Sequence, residues 1–436
     1  MIMPNHTPLP LPNFFNKKRP PNLKLTPRNN SSTSINFSEA PSLPDTISTC
    51  TTPKVKAFLA TSSLDNIKNL ITYNSKKPIK NGQNGIVKTV TLSLSLKNET
   101  RTLVEKQGGS SVNREIKITN AIKTTTSSNF PYHLFALPIH QESSQITNTL
   151  YTCYRALGDL QTNIGYIQQK LQLEDSSAFS YIFQVFHQLT IALDALHNSD
   201  FKDEEGNIHQ GIVHNDIKPD NIFLKIRSIE LADFGCAYFK NTSAPQYATF
   251  LFSAPELWTN ENFCQQVILN SDKSDIWSLG ASLMYLLSNE LMAPSLEKLS
   301  ELDKILRYQE WAKTYSQQWK RLVAKIFTSV KNFSSEKGIV SLLKENINLK
   351  LHSNDPNNKK LILNNLALLM QAPIEVRPNS NELKNILDKL DFIIDGEPEI
   401  FISQLLNRNS SNVNTACSKL TNGYVSISDL NMNMPR

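Results

Sequence analysis

The stretch Gly211-Ile-Val-His-Asn-Asp-Ile-Lys-Pro-Asp-Asn-Ile-Phe-Leu224 sets a carboxylate (Asp216), a lysine (Lys218) and an amide (Asn221) within six positions, then closes on an apolar run. Twelve residues past Asn221 stands Asp233-Phe234-Gly235. Ser253-Ala254-Pro255-Glu256, Asp275-Ile276-Trp277-Ser278-Leu279-Gly280 and Arg377-Pro378 follow in that order. A lone Asp-Phe-Gly triplet is a weak signal, and the alternative reading of Asp216 is a turn aspartate. Five motifs in a fixed order are specific.

Around these motifs, composition narrows the class. The chain has 436 residues, enough at about 100–200 residues per domain for two or three folding units or one two-lobed enzyme with tails. Hydrophobic residues make up 39% and charged residues 19%, so the bulk can bury a core. Glycine is scarce, with 13 residues, so a glycine in a patterned loop carries more information than usual. The five cysteines are isolated, which excludes a disulfide scaffold and a zinc ribbon and favours a reducing compartment. The longest strongly apolar run, Ile276 to Leu287, is too short and too polar to span a membrane. The start, Met-Ile-Met-Pro, is proline-broken and does not read as a signal peptide. The formal charge is +6. Seven basic residues against Glu39 and Asp45 put 7 − 2 = +5 of it in residues 1–56. The body is therefore near neutral, and nucleic acid is not an expected partner. The tail reads as a solvated basic segment, with weak contact to an anionic membrane as the alternative.

Residues 1–56 lack apolar periodicity and are expected to be disordered. Ser62-Ser63-Leu64-Asp65 reads as the capping box of a leading helix. Strand-like runs follow at Ile86–Leu96 and Arg101–Lys106, joined by the turn Lys97-Asn98-Glu99-Thr100, and then at His133–Ile139 and Thr149–Tyr154. The period then changes: Phe179, Ile182, Phe183, Phe186, Leu189, Leu193 and Leu196 form a broad apolar face, the mark of a buried helix. From Ser274 onward, Leu299–Arg307, Gln317–Val330, Lys359–Met370 and Asn381–Leu390 read as helices. Strands followed by helices imply an α+β, two-lobed molecule with a small antiparallel sheet and a larger helical unit. The boundaries expected are a tail at 1–56, a small lobe with its leading helix at 57–154, a large lobe at 155–394 and a loose tail at 395–436.

The ordered motifs resemble those of eukaryotic-type protein kinases: the catalytic loop H-x-D-x-K-x-x-N, the D-F-G and A-P-E segments, the D-x-W-S-x-G helix and the late arginine. The resemblance covers residues 75 to 392 and implies phosphoryl transfer from ATP. That chemistry needs the γ-phosphate charge neutralised, the acceptor hydroxyl held in line and water excluded. By resemblance, Asp216 orients or receives the acceptor proton and Lys218 reaches the γ-phosphate. Asn221 and Asp233 hold Mg²⁺, or Mn²⁺ in its place, and His214 is a packing residue. Lys80-Asn-Gly-Gln-Asn-Gly-Ile-Val87 looks like the glycine-rich loop with Lys80 at its first glycine, so Gly82 and Gly85 would let backbone N–H groups approach the phosphates. On its own it is equally a hairpin turn. Leu103-Val-Glu-Lys106 matches the strand that carries the α/β-phosphate lysine, Lys106. Val87 and Val104 would roof the adenine, Phe223 would floor it, and Asp159, at the end of the hinge Tyr151–Leu160, would lie near the ribose.

Glu115 is the candidate partner of Lys106. Only nine positions separate them, which implies a shortened helix, and Thr119 falls where an aliphatic residue is usual. The arginine that usually precedes the catalytic aspartate is Asn215. An acidic insert, Asn198 to Gln210, reads as a solvated loop, with docking or regulation as the alternative. Lysine two after Asp216, together with Thr249, follows the serine/threonine pattern and implies protein substrates with Ser or Thr acceptors. Without an arginine beside Asp216, activity without loop phosphorylation is expected; the alternative is that Lys240 or another basic residue takes over the arginine's task. A pseudokinase scaffold, a small-molecule phosphotransferase and a binding module in the tails remain open as other functions. An Asn-, Lys- and Ile-rich composition resembles that of kinases injected by intracellular bacteria, which implies a cytoplasmic location, in a host cytosol if so.

Overall fold

The computed structural model describes residues 71–408 except 74–79, 83–84, 95–98, 126, 128, 144–147, 154, 156, 226–227, 245–248, 259–267, 270, 289–292, 295–298, 327–334, 351–355, 392–397 and 399. The expected basic tail, the leading helix at Ser62 and the final residues lie outside them. Six antiparallel strands form the first layer: β1 (Ile71–Tyr73), β2 (Lys80–Gly82), β3 (Gly85–Leu94), β4 (Glu99–Gly108), β5 (His140–Ser143) and β6 (Asn148–Cys153). Their order is β1-β3-β4-β6-β5, with β2 hairpinned onto β3. Register places Lys106 of β4 between Val87 on β3 and Leu150 on β6. With a side-chain period of two, Leu103 and Glu105 share the buried face of β4, and Val104 and Lys106 share the other. Helix α1 (Ser110–Lys123) starts one residue after β4 and packs Val112 and Ile116 against Leu150.

The second layer is helical. Its axis is α3 (Ser176–Asn198), preceded by α2 (Leu160–Gln172) and capped by Asp175, whose carboxylate accepts from Ser177 N at 3.0 Å. Phe179, Phe183, Phe186, Leu189 and Leu193 of α3 are buried, each stabilising the core by about 1.5–3 kcal/mol. Short strands follow: β7 (Asp200–Lys202), β8 (Ile208–Gln210), β9 (Ile212–Val213), β10 (Ile222–Leu224), β11 (Ile229–Leu231), β12 (Tyr238–Phe239), β13 (Ser243–Ala244) and β14 (Ile268–Leu269). Helices α4 (Asp272–Ser288), α5 (Glu301–Ile326), α6 (Glu336–Lys350), α7 (Pro356–Met370) and α8 (Ser380–Asp391) complete it. The architecture is α+β and two-lobed.

Several local expectations change. His133–Ile139 is not a strand of the sheet: Tyr132–Leu134 is a 3₁₀ turn, and Phe135 bridges to Leu231 in the large lobe. Pro131 and Pro138 lack the N–H a ladder needs, so the pairing strand starts only at His140. The two helices expected at Leu299–Arg307 and Gln317–Val330 are one, α5, because buried Tyr308, Trp311, Tyr315, Trp319 and Leu322 carry the helical period through the interval. The acidic insert is not a loop but the hairpin β7–β8, with Phe201 buried. Residues 400–408, expected in a loose tail, are helical. Phe401 stacks on Tyr181 at 4.8 Å, and Ile402 and Leu405 are buried beside it.

Candidate active site

Gly211 begins the catalytic loop at φ +82°, and a Cβ there would lie 2.4 Å from His197 O, so only glycine fits. The loop is then pinned from α4. The buried Asp275 carboxylate accepts from His214 N at 2.7 Å and from Asn215 N at 2.8 Å, and meets His197 Nε2 at 2.9 Å. Asn215 adopts the left-handed conformation (φ 64°), which Asn tolerates, and its Nδ2 donates to Cys236 O at 3.2 Å. His214 is fully buried, with Nε2 3.0 Å from Ala232 O and its ring 5.0 Å from Phe234. That is a packing position.

The loop so held presents Asp216, which is 5% exposed. Lys218 Nζ donates to Asp216 Oδ2 at 2.6 Å and to Thr249 Oγ1 at 2.7 Å. Thr249 Oγ1 in turn donates to Asp216 Oδ1 at 2.7 Å; a hydroxyl can do both. Asn221 Nδ2 donates to Asp216 O at 2.8 Å and to Oδ2 at 3.1 Å. Burial works against the charge on Lys218, but the Asp216 carboxylate outweighs it and raises the lysine's pKa. The carboxylate is thus fixed by donors on three sides.

Lys106 forms the second cluster. Its Nζ lies 2.6 Å from Glu115 Oε2 and 2.7 Å from Asp233 Oδ1. At an effective dielectric near 20 such contacts are worth roughly 4–6 kcal/mol each before desolvation. Burial opposes the charge on Lys106, yet the two carboxylates outweigh it and raise its pKa. Burial also raises Glu115, with Lys106 opposing. For Asp233, burial is more than offset by Lys106, and its pKa falls to about 2. Asp233 sits at φ 62°, and its own Oδ1 accepts from Gly235 N at 3.3 Å. Phe234 beside it is wholly buried, 6.3 Å from Phe135, so the aspartate turns toward Lys106.

The expected shortening lies in the connection rather than the helix: α1 runs fourteen residues, and Gly109 alone joins it to β4. Thr119 is buried with its hydroxyl donating to Glu115 O at 2.7 Å, so it fills an apolar position without an unmet donor.

Where the sequence reading places the nucleotide, Gly82 and Gly85 pair with each other at the tip of the β2–β3 hairpin. Val87, Val104 and Phe223 are half-buried, while their neighbours Leu103, Ile222 and Leu224 are buried. Phe223 is bridged to Asp159 by backbone pairing. Asp159 also caps α2, its Oδ1 accepting from Thr162 N at 2.6 Å, a role beyond the ribose contact expected of it. Asn221 and Asp233 offer an amide oxygen and a carboxylate held ionised, a hard donor set that suits Mg²⁺. Among the described residues no cluster of three or more His, Cys, Asp or Glu side chains could hold a metal. A divalent ion here would therefore share its shell with substrate phosphate oxygens rather than sit in a protein cage.

Two contributors escaped the sequence reading. Arg114 of α1 donates to Gly235 O at 2.6 Å and lies 4.4 Å over the Tyr238 ring. The hairpin β7–β8 is the other, and its alternating residues about Gly206 carry a hairpin pattern. Elsewhere, buried Arg377 pairs with Glu256 at 2.6 and 3.1 Å, tying the A-P-E segment to the connection between α7 and α8.

The family model described as "Protein kinase domain" matches residues 73–420. A mitogen-activated protein kinase, pmk-2, of Caenorhabditis elegans is 25% identical over 276 residues, covering 56% of this chain and 59% of that protein. A putative serine/threonine-protein kinase of Acanthamoeba polyphaga mimivirus is 30% identical over 162 residues, covering 36% and 52% respectively. The serine/threonine-protein kinase CHK1 of Saccharomyces cerevisiae is 33% identical over 155 residues, covering 32% and 26%. The chain thus spans less than two thirds of the length of each of these relatives.

Proposed function

The chain belongs to the protein kinase domain family, and from that premise we propose that it transfers the γ-phosphoryl group of ATP to serine and threonine hydroxyls of protein substrates. The observation that carries the reading is the closed triangle Asp216–Lys218–Thr249. Asp216 orients the acceptor hydroxyl and takes its proton as the hydroxyl oxygen bonds to the γ-phosphorus, while the bond from that phosphorus to the β–γ bridging oxygen breaks and ADP leaves. Lys218, kept charged, meets the developing charge on the transferred group, and Thr249 holds both side chains in register. Lys106, fixed by Glu115 and Asp233, positions the α/β-phosphates. Mg²⁺, held by Asn221 and Asp233, would supply further charge neutralisation. Val87, Val104 and Phe223 enclose the adenine. Among the described residues no helix is long and apolar enough to cross a membrane.

We further propose that the enzyme is active as synthesised. Lys106 and Glu115 already pair, and Asn215 spends its uncharged amide on Cys236 O instead of awaiting a phosphate. Lys240, the other candidate phosphate ligand, is engaged with Asp272 at 2.7 Å. The test compares initial rates of phosphatase-treated and untreated protein, then of the variant with Thr242, Ser243 and Tyr247 replaced by Ala, Ala and Phe. Phospho-amino-acid analysis of the product accompanies it. Rates within a few-fold and label on Ser and Thr are expected. A loss on the order of a hundredfold that rephosphorylation restores, or label on Tyr, would overturn the reading.

A further inference from the structure

The hairpin between α3 and the catalytic loop touches both elements whose placement assembles the Lys106 cluster. Its strands pair Asp200 with Gln210, Phe201 with His209 and Lys202 with Ile208. Its turn is internally built: Asp203 accepts from Asn207 N at 2.7 Å and Asn207 Nδ2 at 3.0 Å, meets His209 Nε2 at 2.7 Å, and is followed by Gly206 at φ +91°. Toward α1, Thr125 Oγ1 donates to Asp200 O at 3.0 Å and Lys117 meets Glu204 at 3.2 Å. Both contacts are exposed and contribute little. The main anchor is Phe201, 1% exposed. Its ring meets Phe130 edge-on at 5.9 Å, Phe130 stacks on Phe135 at 5.2 Å, and Phe135 reaches Phe234 at 6.3 Å. One aromatic chain therefore runs from the hairpin to the residue beside Asp233. From the partner strand, His209 stacks on Phe239 at 4.0 Å, four residues past Gly235 of the Asp233-Phe-Gly segment.

We propose that this hairpin is a built-in latch. It holds α1 and the segment after Asp233 in the arrangement that pairs Lys106 with Glu115 and Asp233, so that order at the site comes from the insert and not from a phosphorylated loop. Phe201 and His209 are its positioning residues; neither touches the reacting groups. The consequence for turnover rests on the kinase reading, whereas the consequence for α1 does not.

The test is hydrogen exchange on the full chain for Phe201→Ala, Phe201→Leu and His209→Ala, with kcat and KM for ATP measured alongside. Peptides covering 110–123 and 234–240 are compared with those covering 272–288 and 356–370. The latch predicts that Phe201→Ala speeds exchange in the first two by about tenfold or more, with the last two unchanged and Phe201→Leu close to wild type. His209→Ala should loosen 234–240 first. Turnover should fall mainly in kcat and return in Phe201→Leu. Wild-type exchange of 110–123 and 234–240 in both Ala variants would overturn the proposal. Should Phe201→Ala loosen the whole large lobe, His209→Ala decides by the same criterion at 234–240. A wild-type protein that transfers no phosphate while its α1 loosens on substitution sinks the kinase reading and leaves the latch standing. Normal transfer with an unmoved α1 does the reverse.

Discussion

At the scale of single residues, the two clusters differ in how they resist change. Asp216 is fixed by neutral and cationic donors around it, whereas Lys106 lies between two carboxylates, one of them buried. Lys106→Ala should therefore leave Glu115 further displaced toward its neutral form and Asp233 without its nearest cation. We expect kcat/KM to fall by about 10²–10³-fold, with the circular dichroism spectrum retained. Steady-state kinetics on the purified variant checks this, and near wild-type kcat/KM would remove Lys106 from the site. Asp216, Lys218, Asn221 and Asp233 were legible because short spacings in one loop and one triplet bring them together. Glu115 was legible only as a candidate, since its pairing depends on where α1 sits. Arg114 was not legible at all, because nothing local tells an arginine that crosses to Gly235 from one on a helix surface.

Among the elements, the long strands and the amphipathic helices could be read from their period, and failures fell where tertiary contacts overrode it. Leu134 and Phe135 look like strand residues but serve the junction between lobes, because flanking prolines deny them a ladder. Phe201 in an acidic insert looked solvated until the hairpin buried it. Packing of α4 on α7 offers a sharp test. A Cβ at Gly280 would lie 2.7 Å from Met370 Cβ, 2.9 Å from Gln371 Cγ and 3.1 Å from Ala367 O. Two of these atoms lie close to or on backbone, so they cannot simply swing away. Gly280→Ala should destabilise by about 1–3 kcal/mol despite Ala's better helix propensity. Urea unfolding of the variant measures it, and a midpoint equal to or above wild type would show that the helices can separate at no cost.

For the whole molecule, titration sets the stability window. Burial raises the pKa of Tyr181, Tyr308 and Tyr315, and Lys106 is raised by its carboxylates against burial. A group whose folded pKa is raised contributes stability that is fully present below its unfolded value and lost as pH rises toward the folded one. The unfolded chain thus releases these protons first, from about pH 10. Asp233 has the opposite sign: its pKa is lowered to about 2, so its contribution is present above about pH 4 and lost as pH falls toward the folded value. Urea midpoints should decline above about pH 10, where the tyrosines and Lys106 lose this contribution, and below about pH 4, where Asp233 loses its own. A midpoint that rises between about pH 10 and 11 would contradict this account of the buried tyrosines. The two-lobed plan was legible from strands giving way to helices, while the joining of the lobes through α1, Phe135 and the hairpin was not, because it is made of contacts distant in sequence. The central claim, that this assembly moves phosphate through Asp216, is tested by incubating wild type and Asp216→Asn with γ-labelled ATP, Mg²⁺ and a mixed protein substrate. The expected result is protein-bound label from wild type and a rate lower by about 10²–10⁴-fold from Asp216→Asn at an unchanged melting temperature. Equal labelling by a folded Asp216→Asn, or ATP bound with no label transferred by wild type, would contradict it.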